Sequence, residues 1–139
     1  MKNKSGDNDK YKKRFDSFQN ENYSEADAQN VFDNEDKIKD LSSKGPLKKY
    51  LDYIALFISM LKDYFKGNYK EIPKGSIVAI IGTLLYILSP VDIILDAIPF
   101  IGLIDDAAIV LLCIKFVSLD IKRYEKWKYN SERLSAMLE

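Results

Sequence analysis

Apolar positions are concentrated in the middle of this chain, and their spacing predicts helices. Residues 1 to about 22 mix Lys, Asp, Asn and Ser around Tyr11, Phe15 and Phe18 without a sustained period, the pattern of a polar tail. At Tyr23-Ser24-Glu25-Ala26-Asp27 a helix start is expected. Ser24 is placed to cap, acidic residues fill the first turn, and Tyr23 can staple onto Ala28. That helix should run to Leu41 or Ser42 on a thin apolar face of Ala28, Val31, Phe32 and Ile38, which needs a partner surface. Ser42 to Pro46 then breaks the chain.

From Leu47 to Phe65 the period is strong. On a wheel of 100° per residue, Tyr50, Leu51, Tyr53, Ile54, Phe57, Ile58, Met60, Leu61, Tyr64 and Phe65 share one broad arc. Lys48, Lys49, Asp52, Ser59, Lys62 and Asp63 lie opposite, and Leu56 alone breaks the pattern. Such an arc suits a helix packed against two neighbours better than an interfacial helix, whose polar face is usually more uniformly basic. Gly67-Asn68-Tyr69 and Pro73-Lys74-Gly75 close it. Gly75 to Val91 carries no charge and would extend about 26 Å as a helix, close to the ~30 Å hydrocarbon thickness of a bilayer. Ser89-Pro90-Val91-Asp92 restarts the chain, with a capping Ser, Pro at the first helical position and Asp in the first turn. Pro99 and Gly102 interrupt it again, and a further helix is expected from Ala107 through Val117, becoming amphipathic from Asp120 to Lys128. No strand-like alternation competes.

The fold class expected is all-α: a small helical bundle with a central apolar hairpin interrupted at a Ser-Pro-x-Asp / Pro-x-x-Gly-x-x-Asp-Asp tip. Its organisation reads as a polar tail (1–22), an N-terminal helix and linker (23–45), a helical domain (46–130) and a C-terminal tail (131–139). The domain holds the amphipathic helix 47–65 and the apolar hairpin 75–119.

Composition narrows the chemistry. The 139 residues include 47% hydrophobic types, enough for a core in one domain, and the formal net charge is zero. Nothing in that balance draws the whole chain to nucleic acid. There is no histidine, so Ser-His and Cys-His catalysis are excluded and the commonest zinc ligand is missing. The one cysteine, Cys113, sits in an apolar run, where a buried thiol is expected. The N-terminus has no apolar signal-peptide core, which points to a cytoplasmic location or a cytoplasmic membrane face.

Charge signs alternate along the chain. Between Lys74 and Lys115 there is no basic residue, and the charges are Asp92, Asp96, Asp105 and Asp106. Lys62, Lys66, Lys70 and Lys74 precede this stretch, and Lys122, Arg123, Lys126 and Lys128 follow it. Two apolar arms with basic feet and an acidic tip fit a membrane hairpin under the positive-inside rule, or a bundle core. The second arm is short for a span and includes Lys115, which would have to snorkel. The four aspartates also admit a metal reading. Asp92 and Asp96 are spaced i, i+4, and oxygen-only ligands would suit Mg²⁺ or Ca²⁺. Helix capping by Asp92 and Asp105 accounts for them more simply.

Leu88 to Asp106 resembles the YkvA-like family, small bacterial proteins carrying a domain of unknown function. Ser89, Pro90, Asp92, Asp96, Pro99, Gly102, Asp105 and Asp106 match its motif, and Leu95 stands where the family usually has proline. The resemblance extends loosely from about Leu47 to Lys128. It implies a membrane-associated helical hairpin with no known reaction, substrate or cofactor.

The function expected is therefore a non-enzymatic, membrane-associated helical-hairpin protein with both termini cytoplasmic. Lipid is the main partner, an unidentified protein partner stays open, and no cofactor, catalytic residue or nucleic acid is expected. The alternatives are a soluble four-helix interaction module and an aspartate site for a divalent cation.

Overall fold

The computed structural model describes residues 25–88 and 106–138, and every regular element among them is helical. In chain order these are α1 (Glu25–Asp33), α2 (Glu35–Ser42), a 3₁₀ turn (Gly45–Tyr50), α3 (Leu51–Lys66), α4 (Lys74–Leu88), α5 (Asp106–Phe116) and α6 (Ser118–Leu138). The all-α expectation holds. The segment expected to carry the tip, 89–105, lies outside the described residues.

The helix expected from Ser24 to Ser42 is two helices broken at Asn34. The Asn34 side chain turns back to donate to Asn30 O at 2.8 Å and Asn30 Oδ1 at 2.9 Å, competing locally with helical bonding as a short amide can. The break lets two short apolar patches reach the core. Ala28, Val31 and Ile38 are all fully buried, so the thin face does find its partner surface. Glu35 at the start of α2 bonds Lys39 at 2.7 Å and also pairs with Lys62 of α3. Those two hydrogen bonds hold its carboxyl below the ordinary range against the opposing effect of burial.

Helix α3 begins at Leu51 rather than Leu47, because Gly45-Pro46 leads into a 3₁₀ turn that seats Leu47 in the core. Its end is set by Gly67 at φ 83°, where a side chain would be strained. Ile54, Phe57, Ile58, Met60 and Leu61 are buried as the wheel requires. Two positions depart from it. Tyr53, on the apolar arc, is 40% exposed, whereas Asp63, on the polar arc, is 7% exposed.

Helix α4 is the centre of the bundle and packs against α1, α2, α3 and α5. Ile77, Ile80, Ile81, Leu84, Tyr86 and Ile87 are at most 5% exposed. Thr83, the one polar side chain in its middle, donates to Ala79 O at 2.8 Å and so is buried satisfied. The described part of the charge-free strip is thus already largely dehydrated by protein, each such buried side chain contributing about 1.5–3 kcal/mol. Helices α4 and α5 pair as the expected hairpin arms, but among the described residues no helix is long and apolar enough to cross a membrane.

Helix α6 does not end near residue 130 but continues to Leu138, with residues 129–138 exposed. Only its first turns enter the core, through Ile121 and Tyr124.

Candidate functional site

The residues singled out for metal binding or as a motif give no geometry. Ser89, Pro90, Asp92, Asp96, Pro99, Gly102 and Asp105 lie outside the described residues, and Asp106 is described only as the first residue of α5. Among the described residues no cluster of His, Cys, Asp or Glu is able to hold a metal ion. Cys113 is buried as expected, and burial pushes its thiol up to about 12 despite a hydrogen bond with Thr83.

The polar chemistry that the bundle does assemble lies between the C-terminal half of α3 and α6. Ser59 and Asp63 are one turn apart on α3, and Tyr124 and Lys128 are one turn apart on α6, so two i, i+4 pairs face each other. Tyr124 Oη donates to Asp63 Oδ2 at 2.5 Å. Its single proton is committed there, so the 2.5 Å contact with Ser59 Oγ has Ser59 as donor. Lys128 Nζ donates to the same Oδ2 at 3.2 Å, and Asn68 Nδ2 to Oδ1 at 3.2 Å. Burial alone would raise the carboxyl, but hydrogen bonds from Tyr124, Asn68 and Lys128 outweigh it and keep Asp63 below its ordinary value. The Tyr124 phenol moves the other way, held up by burial first and by the Asp63 carboxylate second.

This network fixes the turn beside it. Asp63 O accepts from the backbone N–H of Asn68 at 2.9 Å and of Tyr69 at 3.2 Å, so one residue holds the turn through both its side chain and its carbonyl. Tyr69 then packs edge-on to Tyr124, with ring centroids 5.4 Å apart, and lies 4.9 Å from the Trp127 ring. Farther along, Ser76 Oγ donates to Asp120 Oδ2 at 2.5 Å, pinning the start of α6 to the start of α4. Between the 67–71 turn and α6 an open groove of about 560 Å³ remains. It is lined by Gly67, Asn68, Tyr69, Lys70, Glu71, Arg123, Lys126, Trp127 and Asn130.

Periodicity places Asp63 on the polar arc of its helix, and this network does not follow from that arc. The available signal was the matched i, i+4 spacing of polar groups on two elements, Ser59 and Asp63 on α3 and Tyr124 and Lys128 on α6.

The class defined by this architecture is a small all-α bundle wrapped around one apolar helix, with a buried carboxylate network locking its last helix in place. Residues 76–112 match the protein family of unknown function DUF1232. Over 81 residues the chain is 36% identical to "Uncharacterized membrane protein YkvA" of Bacillus subtilis (strain 168), covering 58% of this chain and 76% of that protein. The chain belongs to this YkvA-like family. No solved structure matches it significantly.

Proposed function

We propose that this protein is a non-enzymatic helical module that binds the cytoplasmic membrane surface, with both termini on the cytoplasmic side. The observation that carries this reading is helix α5. Its sequence, DAAIVLLCIKF, is apolar on nearly every face, the character of a helix surrounded by protein or lipid. The bundle covers Ala107, Ile109, Val110 and Cys113, yet Leu111 is 37% exposed, Phe116 48% and the adjoining Leu119 65%.

Lipid fits that face for two reasons. Helix α4 gains little from leaving protein for hydrocarbon, because its side chains are already out of water, so the surface with most to gain is the wet one on α5. Basic residues also flank the face, with Lys115 on it, exposed Lys122 on α6, and exposed Lys48 and Lys49 on the 3₁₀ turn that packs against α5. Each adds about 1 kcal/mol near an anionic bilayer, so binding would be reversible and salt-sensitive. The name of the Bacillus subtilis relative supports the same reading.

The test is flotation with vesicles of phosphatidylglycerol and phosphatidylethanolamine. The unmodified protein should float with them, and Leu111→Glu combined with Leu119→Glu should stay at the bottom while keeping its helical circular dichroism. If the unmodified protein fails to float, the second reading takes over. That reading is a soluble interaction module, and the burial of α4 inside the bundle favours it.

A further inference from the structure

We propose that the groove between the 67–71 turn and α6 is a binding site for a phosphate ester, presented as the headgroup of an anionic lipid. This rests on the membrane reading above and gives it a specific ligand. Three cations, Lys70, Arg123 and Lys126, line the groove against one carboxylate, Glu71. Neither Arg123 nor Lys126 is in an ion pair among the described residues, whereas Lys128, the next cation along α6, is spent on Asp63. The surplus charge therefore faces the groove and not the core.

The groove is also held in shape. Its wall is the Tyr69 and Trp127 ring pair, and Trp127 is backed by Tyr124 at 5.8 Å. Tyr124 is in turn anchored to Asp63 and Ser59. Gly67 gives the opposing turn its left-handed start. Arginine beside an aromatic wall suits a phosphate attached to an organic body, since the guanidinium forks onto phosphate oxygens while the rings take the ester portion. About 560 Å³ is the scale of a small-molecule site and too small for a polymer. An uncharged overall balance gives no long-range attraction for nucleic acid.

Position argues for lipid as the source. At 100° per residue Leu119, Arg123, Lys126 and Asn130 fall within about 60° of one another on α6. Arg123 lies about 6 Å farther along the axis than Leu119. The helix that leaves the apolar α5 face thus brings Leu119 to the acyl region and Arg123 to the phosphate level on the same side.

Trp127 is the chain's one tryptophan, so its emission reports on the groove directly. The experiment titrates the full chain with phosphatidylglycerol vesicles, with phosphatidylcholine vesicles and with soluble glycerol 1-phosphate. It compares Arg123→Glu/Lys126→Glu with Lys37→Glu/Lys44→Glu, a control of equal charge change on exposed positions of α2 and its linker. The proposal expects a Trp127 emission change on anionic vesicles, an affinity loss of at least about tenfold in the groove variant, and near-normal binding by the control. If glycerol 1-phosphate alone gives the same Trp127 change, the site stands with a soluble phosphate ester as its ligand. A groove variant that binds anionic vesicles as well as the unmodified protein, or a control weakened equally, overturns the groove and leaves the membrane reading intact. Absence of binding to any vesicle removes the membrane reading, and the glycerol 1-phosphate titration then decides the groove by itself.

Discussion

Removing the Tyr124 hydroxyl should cost more than its small volume suggests. In Tyr124→Phe the ring still packs against Tyr69 and Trp127, so the loss is confined to two hydrogen bonds, to Asp63 Oδ2 and from Ser59 Oγ, both 2.5 Å. A hydrogen bond to a charged group contributes about 1.5–3 kcal/mol, against roughly 1 for a neutral one. Ser59 is part-exposed and can turn to water, so most of the effect falls on Asp63, which keeps Asn68 and Lys128 as donors. A loss of about 2–3 kcal/mol is expected. At ~2.1 cal/mol/K per residue over the 139-residue chain, that lowers the melting temperature by roughly 7–10 °C. Asp63→Asn keeps the shape and retains an acceptor for the phenol, and should cost about 1–2 kcal/mol. The double variant completes the cycle. Urea unfolding at pH 7 should give a coupling energy of about 1–2 kcal/mol, because charge-assisted bonds are roughly twice as strong as neutral ones. A Tyr124→Phe effect below about 0.5 kcal/mol, or no coupling, would refute the view that this network anchors α6.

Acidity probes the same carboxylate. Asp63 has a folded-state pKa below its unfolded value of about 4, so its contribution is present above that value and is lost as pH falls through the folded one. The stability gap between the unmodified protein and Asp63→Asn should therefore shrink between pH 6 and pH 3, and a gap independent of pH would contradict the assignment. Two glycines should respond in opposite ways. Gly67→Ala places a side chain at φ 83° and should cost about 1–2 kcal/mol. Gly75→Ala lies in the first turn of α4, where an added Cβ meets nothing within 4 Å, and should be neutral or stabilise by up to about 1 kcal/mol, both read from thermal melts. Cys113, fully buried with its thiol raised to about 12, should react with a disulfide reagent at pH 8 only as fast as the bundle opens, and stoichiometric labelling of the folded protein within minutes would show that α5 is not packed as described.

The outline of the fold was legible because periodicity measures burial. Most of the apolar arc of 47–65, the described part of the charge-free run from Ser76 and the inner side of the Cys113 run became core. The departures have a common cause. A wheel assigns each helix one buried side, whereas a bundle buries a position according to which neighbour crosses it. Asp63 is covered because α6 crosses the polar side of α3 there, which the pattern within α3 alone does not show and only the matching spacing of Tyr124 and Lys128 on α6 hints at. Asn34 breaks a helix that propensity alone would carry through, because its side chain offers Asn30 a competing bond. The functional ambiguity has the same origin. Hydropathy records that a segment leaves water but not whether it enters protein or lipid, and for residues 75–88 the answer in the bundle is protein. The same criterion leaves Leu111 and Phe116 exposed on α5, a helix whose composition predicts dehydration all round, with exposed Leu119 adjoining them at the start of α6. Whatever covers them must supply apolar surface beside the positive charge of Lys115 and Lys122, a requirement that an anionic bilayer meets at a single plane.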